Sequence, residues 1–120
     1  MDYKVMLDST LKKIEGALVV SFCGIDGLGI ANATYPVLPP SLQIGDAQMA
    51  TYIIHKRESL KQVGVEGIQE DITISDRYVV LLRMVNEDYF VSMVCSQLVN
   101  IKKARYHLYL LADQLRKEIS

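Results

Sequence analysis

No stretch of the chain approaches the roughly 18 uninterrupted apolar residues that a bilayer-spanning helix needs. Its start, Met1-Asp2-Tyr3-Lys4, leads into mixed polar sequence instead of a signal-peptide core. Neither membrane insertion nor secretion is expected. Charge of one sign is missing too: 13 Lys and Arg stand against 14 Asp and Glu, for a formal net charge of -1. A surface that neutralises phosphates along a nucleic acid needs a basic surplus, so nucleic acid is not an expected partner. Cysteine is scarce, and Cys23 and Cys95 each lie inside an apolar run, Val19-Val20-Ser21-Phe22-Cys23 and Val91-Ser92-Met93-Val94-Cys95. In that setting a free thiol serves as a small buried hydrophobe. The glycosylation triplet Asn32-Ala33-Thr34 carries little weight where nothing points to secretion, and the expected location is the cytoplasm.

Catalytic and cofactor motifs are absent as well. Gly24, Gly27 and Gly29 give G-x-x-G-x-G, which is neither a dinucleotide fingerprint nor a P-loop, and a tight turn is the better reading. His55 and His107 stand alone on separate predicted helices, without cysteine or histidine at metal-ligand spacing, so neither metal nor cofactor is expected. No Gly-x-Ser-x-Gly frames a serine. The paired carboxylates Glu70-Asp71 and Glu87-Asp88 fall at strand starts or turns and are expected to be solvated. Arg57, Arg77 and Arg83 stand in no context that marks an arginine finger. An enzyme is therefore not expected.

What remains is a strong pattern of structure over a single domain, 1–120, with 50% apolar residues. Met6, Leu7, Leu11 and Ile14 recur at helical spacing from Tyr3, with Asp2 and Asp8 early and Lys12 and Lys13 late, as the helix dipole favours. Ala17 to Cys23 is nearly continuous in apolar residues, the pattern of a strand covered on both faces. An Asp26-Gly27 turn leads to a weaker run, Leu28 to Thr34, expected at a sheet edge. The three prolines of Tyr35 to Ser41 give a semi-rigid connection. A second helix is expected from about Asp46, as N-cap, to about Gln62. Gly67 to Ile74 alternates, with Ile68, Ile72 and Ile74 on one side and Gln69, Asp71 and Thr73 on the other, as in an edge strand. Tyr78 to Val85 and Tyr89 to Cys95 complete a meander. Leu98, Ile101, Leu108, Ala112, Leu115 and Ile119 share one face of a last helix, whose other stripe, Val99, Tyr106 and Leu110, is expected to pack on the first helix, with a partner or higher-order contact as the alternative. The order α-β-β-α-β-β-β-α predicts an α+β domain of profilin-like shape, one antiparallel sheet with helices on both faces.

With that order in place, Ile14-Glu15-Gly16-Ala17-Leu18-Val19-Val20-Ser21-Phe22-Cys23-Gly24-Ile25-Asp26-Gly27-Leu28-Gly29-Ile30-Ala31 resembles the opening hairpin of the Roadblock, or dynein light-chain-like, family. The resemblance runs on through the second helix and the three strands to Asn100-Ile101, similar to the Asn-Leu pair that opens the last helix in prokaryotic members. It departs from the pattern at Lys102, where the family has glycine, and in the proline-rich connection. The resemblance implies a five-stranded antiparallel sheet with helices one and three on one face and helix two on the other. It also implies pairing of two copies through helix two and strand three into a continuous ten-stranded sheet, and a role in binding and regulating a small Ras-like GTPase. A dynein light-chain-like adaptor and a profilin-like small-molecule sensor are the alternatives.

Helix two supports the pairing on its own terms, because it carries two apolar faces. Met49, Ile53, Leu60 and Val63 suit its own sheet. Ala47, Ala50, Thr51 and Ile54 suit close approach of another helix, with Arg57, Glu58 and Lys61 extending that stripe. The expected homodimer interface is Ala47, Ala50, Thr51, Ile54 and Glu58, with Ile68 and Ile72 from strand three. The resemblance places partner binding on Ala47, Thr51, Arg57, Glu58 and Lys61.

Overall fold

Both faces of the strand Ala17–Gly24 are covered, which is why its sequence does not alternate. The computed structural model describes residues 2–40, 42 and 45–119. Along them run α1 (Tyr3–Lys12), β1 (Ala17–Gly24), β2 (Gly29–Thr34), α2 (Asp46–Lys61), β3 (Glu70–Ile74), β4 (Tyr78–Met84), β5 (Tyr89–Ser96) and α3 (Ile101–Ile119). The strands form one five-stranded antiparallel sheet ordered β2-β1-β5-β4-β3, so β2 and β3 are its two edges, as expected.

Period-two alternation across the central strands divides the interior in two. Val20, Phe22, Leu81, Val91 and Met93 face α1 and α3, meeting Met6, Leu7, Leu11, Leu108 and Leu115. Cys23, Leu82, Met84 and Phe90 face α2 and pack on Ala50 and Ile53. The α+β arrangement read from the sequence is the one found, and α1 and α3 lie on one face and α2 on the other, as the resemblance implies.

Several boundaries differ for local reasons. Asp2 caps α1 by accepting from the Val5 N–H at 3.3 Å, but the helix ends at Lys12, and Ile14 reaches the core from the turn that follows. The proline-rich connection ends at Ser41, outside the described residues. Asp46 is the first residue of α2 and not its cap; the cap position is Gly45, which has no side chain to offer. At the last helix, Asn100 is the cap, its Oδ1 accepting from the Lys103 N–H at 3.1 Å. Leu98 lies before the helix and is 88% exposed, so it is not part of the core stripe. Its place is taken by Ala104 and Leu111. The expected second stripe of α3 does not pack on α1 as a unit: Val99 is buried at the foot of the helix, whereas Tyr106 and Leu110 stay exposed.

β3 brings the largest correction. It begins at Glu70, after a turn at Gly67 with φ +71°. The side-chain parity expected from Gly67 onward is therefore lost. Ile68 packs toward α2 and Ile72 toward α1 and α3, so the two do not share a face, and Ile74 points into solvent. The buried residue of the strand is Asp71, at 7% exposure.

Candidate functional site

α2 is seated by the glycines of the first hairpin. Gly27, at φ +91°, closes the turn by donating to the Gly24 carbonyl at 3.0 Å. A Cβ on Gly29 would run into the Asp46 carboxylate. The G-x-x-G-x-G pattern is thus a bed for the first turn of α2.

The inward side of the helix is fixed at three points. Ala50 and Ile53 fill the second core, at 2% and 0% exposure. Ala50 was expected at a dimer contact, and that assignment is corrected: its small side chain lets α2 approach its own sheet, and it does not reach the outer face. Toward the β3 edge, Tyr52 Oη donates to Asp71 Oδ2 at 2.9 Å, the Lys56 ammonium ion-pairs with Asp71 Oδ1, and Thr73 Oγ1 donates to Oδ2 at 3.4 Å. The Asp71 hydrogen bond holds the Lys56 pKa above its ordinary value. At the other end, Arg57 Nη2 donates to the Glu87 carbonyl at 3.0 Å, which ties α2 to the β4–β5 turn. Arg57 is therefore half-buried and committed inside the subunit, not part of the outer stripe.

The outward side carries Ala47, Thr51, Ile54, Glu58 and Lys61, all exposed and spaced along one stripe. These five expected positions come together beside the open edge of β3, on a helix strapped to that edge by Asp71. A cleft of about 1080 Å3 opens next to them, between the end of α2, the segment 65–69, the β4–β5 turn and α3. Arg57, Glu58 and Lys61 line it together with charges of both signs, among them Glu66, Asp88 and Arg116. Such a mixed, open wall suits a polypeptide more than a small anion.

The carboxylates at the head of β3 are not solvated as expected. Glu70 Oε2 accepts from Arg105 Nη2 at 3.0 Å and from Arg83 Nη1 at 3.4 Å, while Arg83 stacks over the Tyr109 ring at 4.8 Å. Chiefly through the Arg105 hydrogen bond, these cations hold the Glu70 pKa below its ordinary 4.5. A depressed carboxylate contributes stability that is present above the unfolded value and is lost as pH falls through the folded one. Glu70→Gln should therefore melt below the wild type at pH 7, with the two converging as pH drops below about 4. A gap in melting temperature that stays constant from pH 7 to pH 3 would show that the ion pairs contribute nothing.

The Tyr52, Lys56 and Asp71 group was not anticipated from the sequence. The available signals were an aspartate inside a strand, where that residue is depleted, and Tyr52 and Lys56 four apart on one helix. Cys23 and Cys95 are buried and unpaired. Burial pushes the Cys95 thiol up to about 12 and that of Cys23 higher still, with Asp46 adding to the latter, so both are poor nucleophiles at neutral pH. His55 and His107 lie on different helices, and among the described residues no three His, Cys, Asp or Glu side chains converge on a metal-sized site. Also among the described residues, no helix is long and apolar enough to cross a membrane.

No family model matches the sequence, and no curated protein matches it. Solved structures do. The chain is similar to MglC from Myxococcus xanthus, at 25% identity and a TM-score of 0.71, over 99% of this chain and 100% of that one. It is similar to an MglB with a tetrameric arrangement, at 19% identity and a TM-score of 0.85, over 96% and 85% of the two chains. A Roadblock/LC7 domain from Streptomyces avermitilis matches at 11% identity and a TM-score of 0.80, over 99% and 98%.

Proposed function

We propose that this chain, a Roadblock-type domain by its fold, is a cytoplasmic, non-catalytic module that pairs with a second copy and docks a small Ras-like GTPase, regulating or scaffolding it. The observation that carries the reading is the outward stripe of α2, Ala47, Thr51, Ile54, Glu58 and Lys61, exposed beside the unpaired edge of β3. The small residues at one end of the stripe suit close helix contact. The charged end opens into the wide cleft, where a partner's loop finds donors and acceptors of both signs. Regulation then follows from stabilising one conformation of the GTPase, with the GTPase supplying its own catalytic groups.

The test is binding of the Ras-like GTPases encoded in the same genome, each loaded with GDP or a non-hydrolysable GTP analogue, by titration calorimetry. One of them should bind with different affinity in its two nucleotide states. The double variant Glu58→Lys, Lys61→Glu should weaken that binding by about tenfold or more when both proteins are compared at a concentration at which sedimentation finds them paired. If none binds in either state, the GTPase assignment falls. If the double variant binds as tightly as the wild type, the docking surface lies elsewhere.

A further inference from the structure

The face of the sheet opposite α2 carries a second groove, which the outer stripe of α2 does not reach. About 290 Å3 in volume, it lies between α3 and the head of β3 and is lined by Glu70, Arg83, Lys102, Arg105, Tyr106 and Tyr109. Three of these six side chains are cations and one is a carboxylate. Glu70 answers two of the three, because Arg105 forks onto it through Nε and Nη2 and Arg83 Nη1 reaches it at 3.4 Å. The answer is incomplete. Arg83 Nε is buried without a hydrogen-bond partner, and among the described residues Lys102 makes no ion pair. The chain as a whole carries a formal charge of -1, so this cationic excess is local. Along the groove α3 raises an apolar ridge: Tyr106, Tyr109 and Leu110, three and four residues apart, are all exposed.

We propose that this groove docks an acidic segment of another protein, with one of its carboxylates seated among Lys102, Arg83 and Arg105 and a neighbouring aromatic or aliphatic side chain laid on the ridge of Tyr106, Tyr109 and Leu110. Charge complementarity selects an anion, and the geometry selects a carboxylate. The fork of Arg105 on Glu70 shows that the guanidinium groups are already set for a planar, two-oxygen acceptor, and Lys102 and Arg83 have donors left for a second one. The ridge selects a polypeptide. A free phosphate would use the cations and leave the exposed tyrosines and Leu110 in water, whereas arginine and tyrosine side by side are the residues that interfaces between proteins concentrate. A nucleic acid would bring a row of phosphates past Glu70 to a chain with no basic surplus.

The probe is an array of short synthetic peptides in which aspartate or glutamate alternates with leucine, phenylalanine or tyrosine, and the best binder is titrated into the whole chain by fluorescence anisotropy. That peptide should bind, and its counterpart with asparagine and glutamine in place of the acids should bind about tenfold more weakly or less. Lys102 and Tyr106 are exposed, so replacing them leaves the fold in place. Lys102→Glu should weaken binding by about tenfold and Tyr106→Ala by about fivefold. Lys103→Glu makes the same change of net charge one residue along, outside the groove, and should alter binding by less than about twofold. The double variant Glu58→Lys, Lys61→Glu, whose residues line the wider cleft and not this one, should bind the peptide as the wild type does, so failure here and failure of the proposed function are read separately. The proposal is overturned if no acidic peptide binds, if Lys102→Glu and Lys103→Glu lose equally, or if inorganic phosphate or a single-stranded oligonucleotide binds more tightly than the peptide.

Discussion

Ala50→Glu should cost the domain about 4 kcal/mol and lower its melting temperature by roughly 10–20 °C, because it forces an uncompensated carboxylate into a packed interior. Ala50 is 2% exposed and belongs to the cluster of Ile53, Cys23, Leu82 and Phe90. A longer side chain there must either lift α2 from the sheet or lie desolvated against Phe90. Lifting α2 would also pull Lys56 and Tyr52 from Asp71. Thr51→Glu, one residue along and exposed, should change the stability of the isolated subunit by less than about 0.5 kcal/mol. Thermal melts followed by circular dichroism compare the two, with Ile54→Asp as the background so that subunit pairing does not contribute. Equal melting temperatures would mean that α2 is rotated and that Ala50 faces outward after all.

If two copies pair through α2 as proposed, Ile54→Asp should raise the dissociation constant of that pair by about 100-fold or more while leaving the fold of each subunit unchanged. Ile54 sits midway along the stripe from Ala47 to Lys61. When two copies of α2 cross antiparallel, it meets itself at the two-fold axis, and two aspartates there oppose each other across a contact that excludes water. In that proposed register Lys61 of one subunit would lie near the start of the other's α2, which begins at Asp46. Sedimentation at a fixed micromolar concentration should find the variant at its single-chain mass. A variant that sediments like the wild type would move the interface away from α2.

Much of this was legible in the residues, and the exceptions share a cause. The continuous apolar run at Ala17 to Cys23, the Asp-Gly turn and the meander identified the sheet, because periodicity records which faces are covered. Periodicity gives the face of a residue only while the element stays regular. At β3 the turn at Gly67 resets the parity, so Ile68 and Ile72 part company and Asp71 turns inward. On α2 both faces carry small and apolar residues, so composition does not say which alanine touches the sheet. Ala50 is decided by tertiary contacts instead, through the Gly29 seat at one end and the Arg57 and Asp71 ties at the other. Polar networks between distant elements, such as Lys56 with Asp71 and Arg105 with Glu70, leave only faint local traces, such as an aspartate inside a strand, that do not name the partner. Of the expected site, Ala47, Thr51, Ile54, Glu58 and Lys61 share the outer stripe, and Ala50 and Arg57 do not.

The central claim, that the outer stripe of α2 is where two copies meet, is tested most directly by disulfide trapping with Ile54→Cys. The chain's own Cys23 and Cys95 are both 0% exposed, so the introduced thiol is the accessible one. Mild oxidation at micromolar concentration should convert the folded variant into a covalent species of twice the 13.5 kDa chain mass, and Val5→Cys on α1 should remain largely uncrosslinked under the same conditions. An Ile54→Cys protein that stays folded and runs at single-chain mass, or a Val5→Cys protein that crosslinks as fast, would contradict the claim.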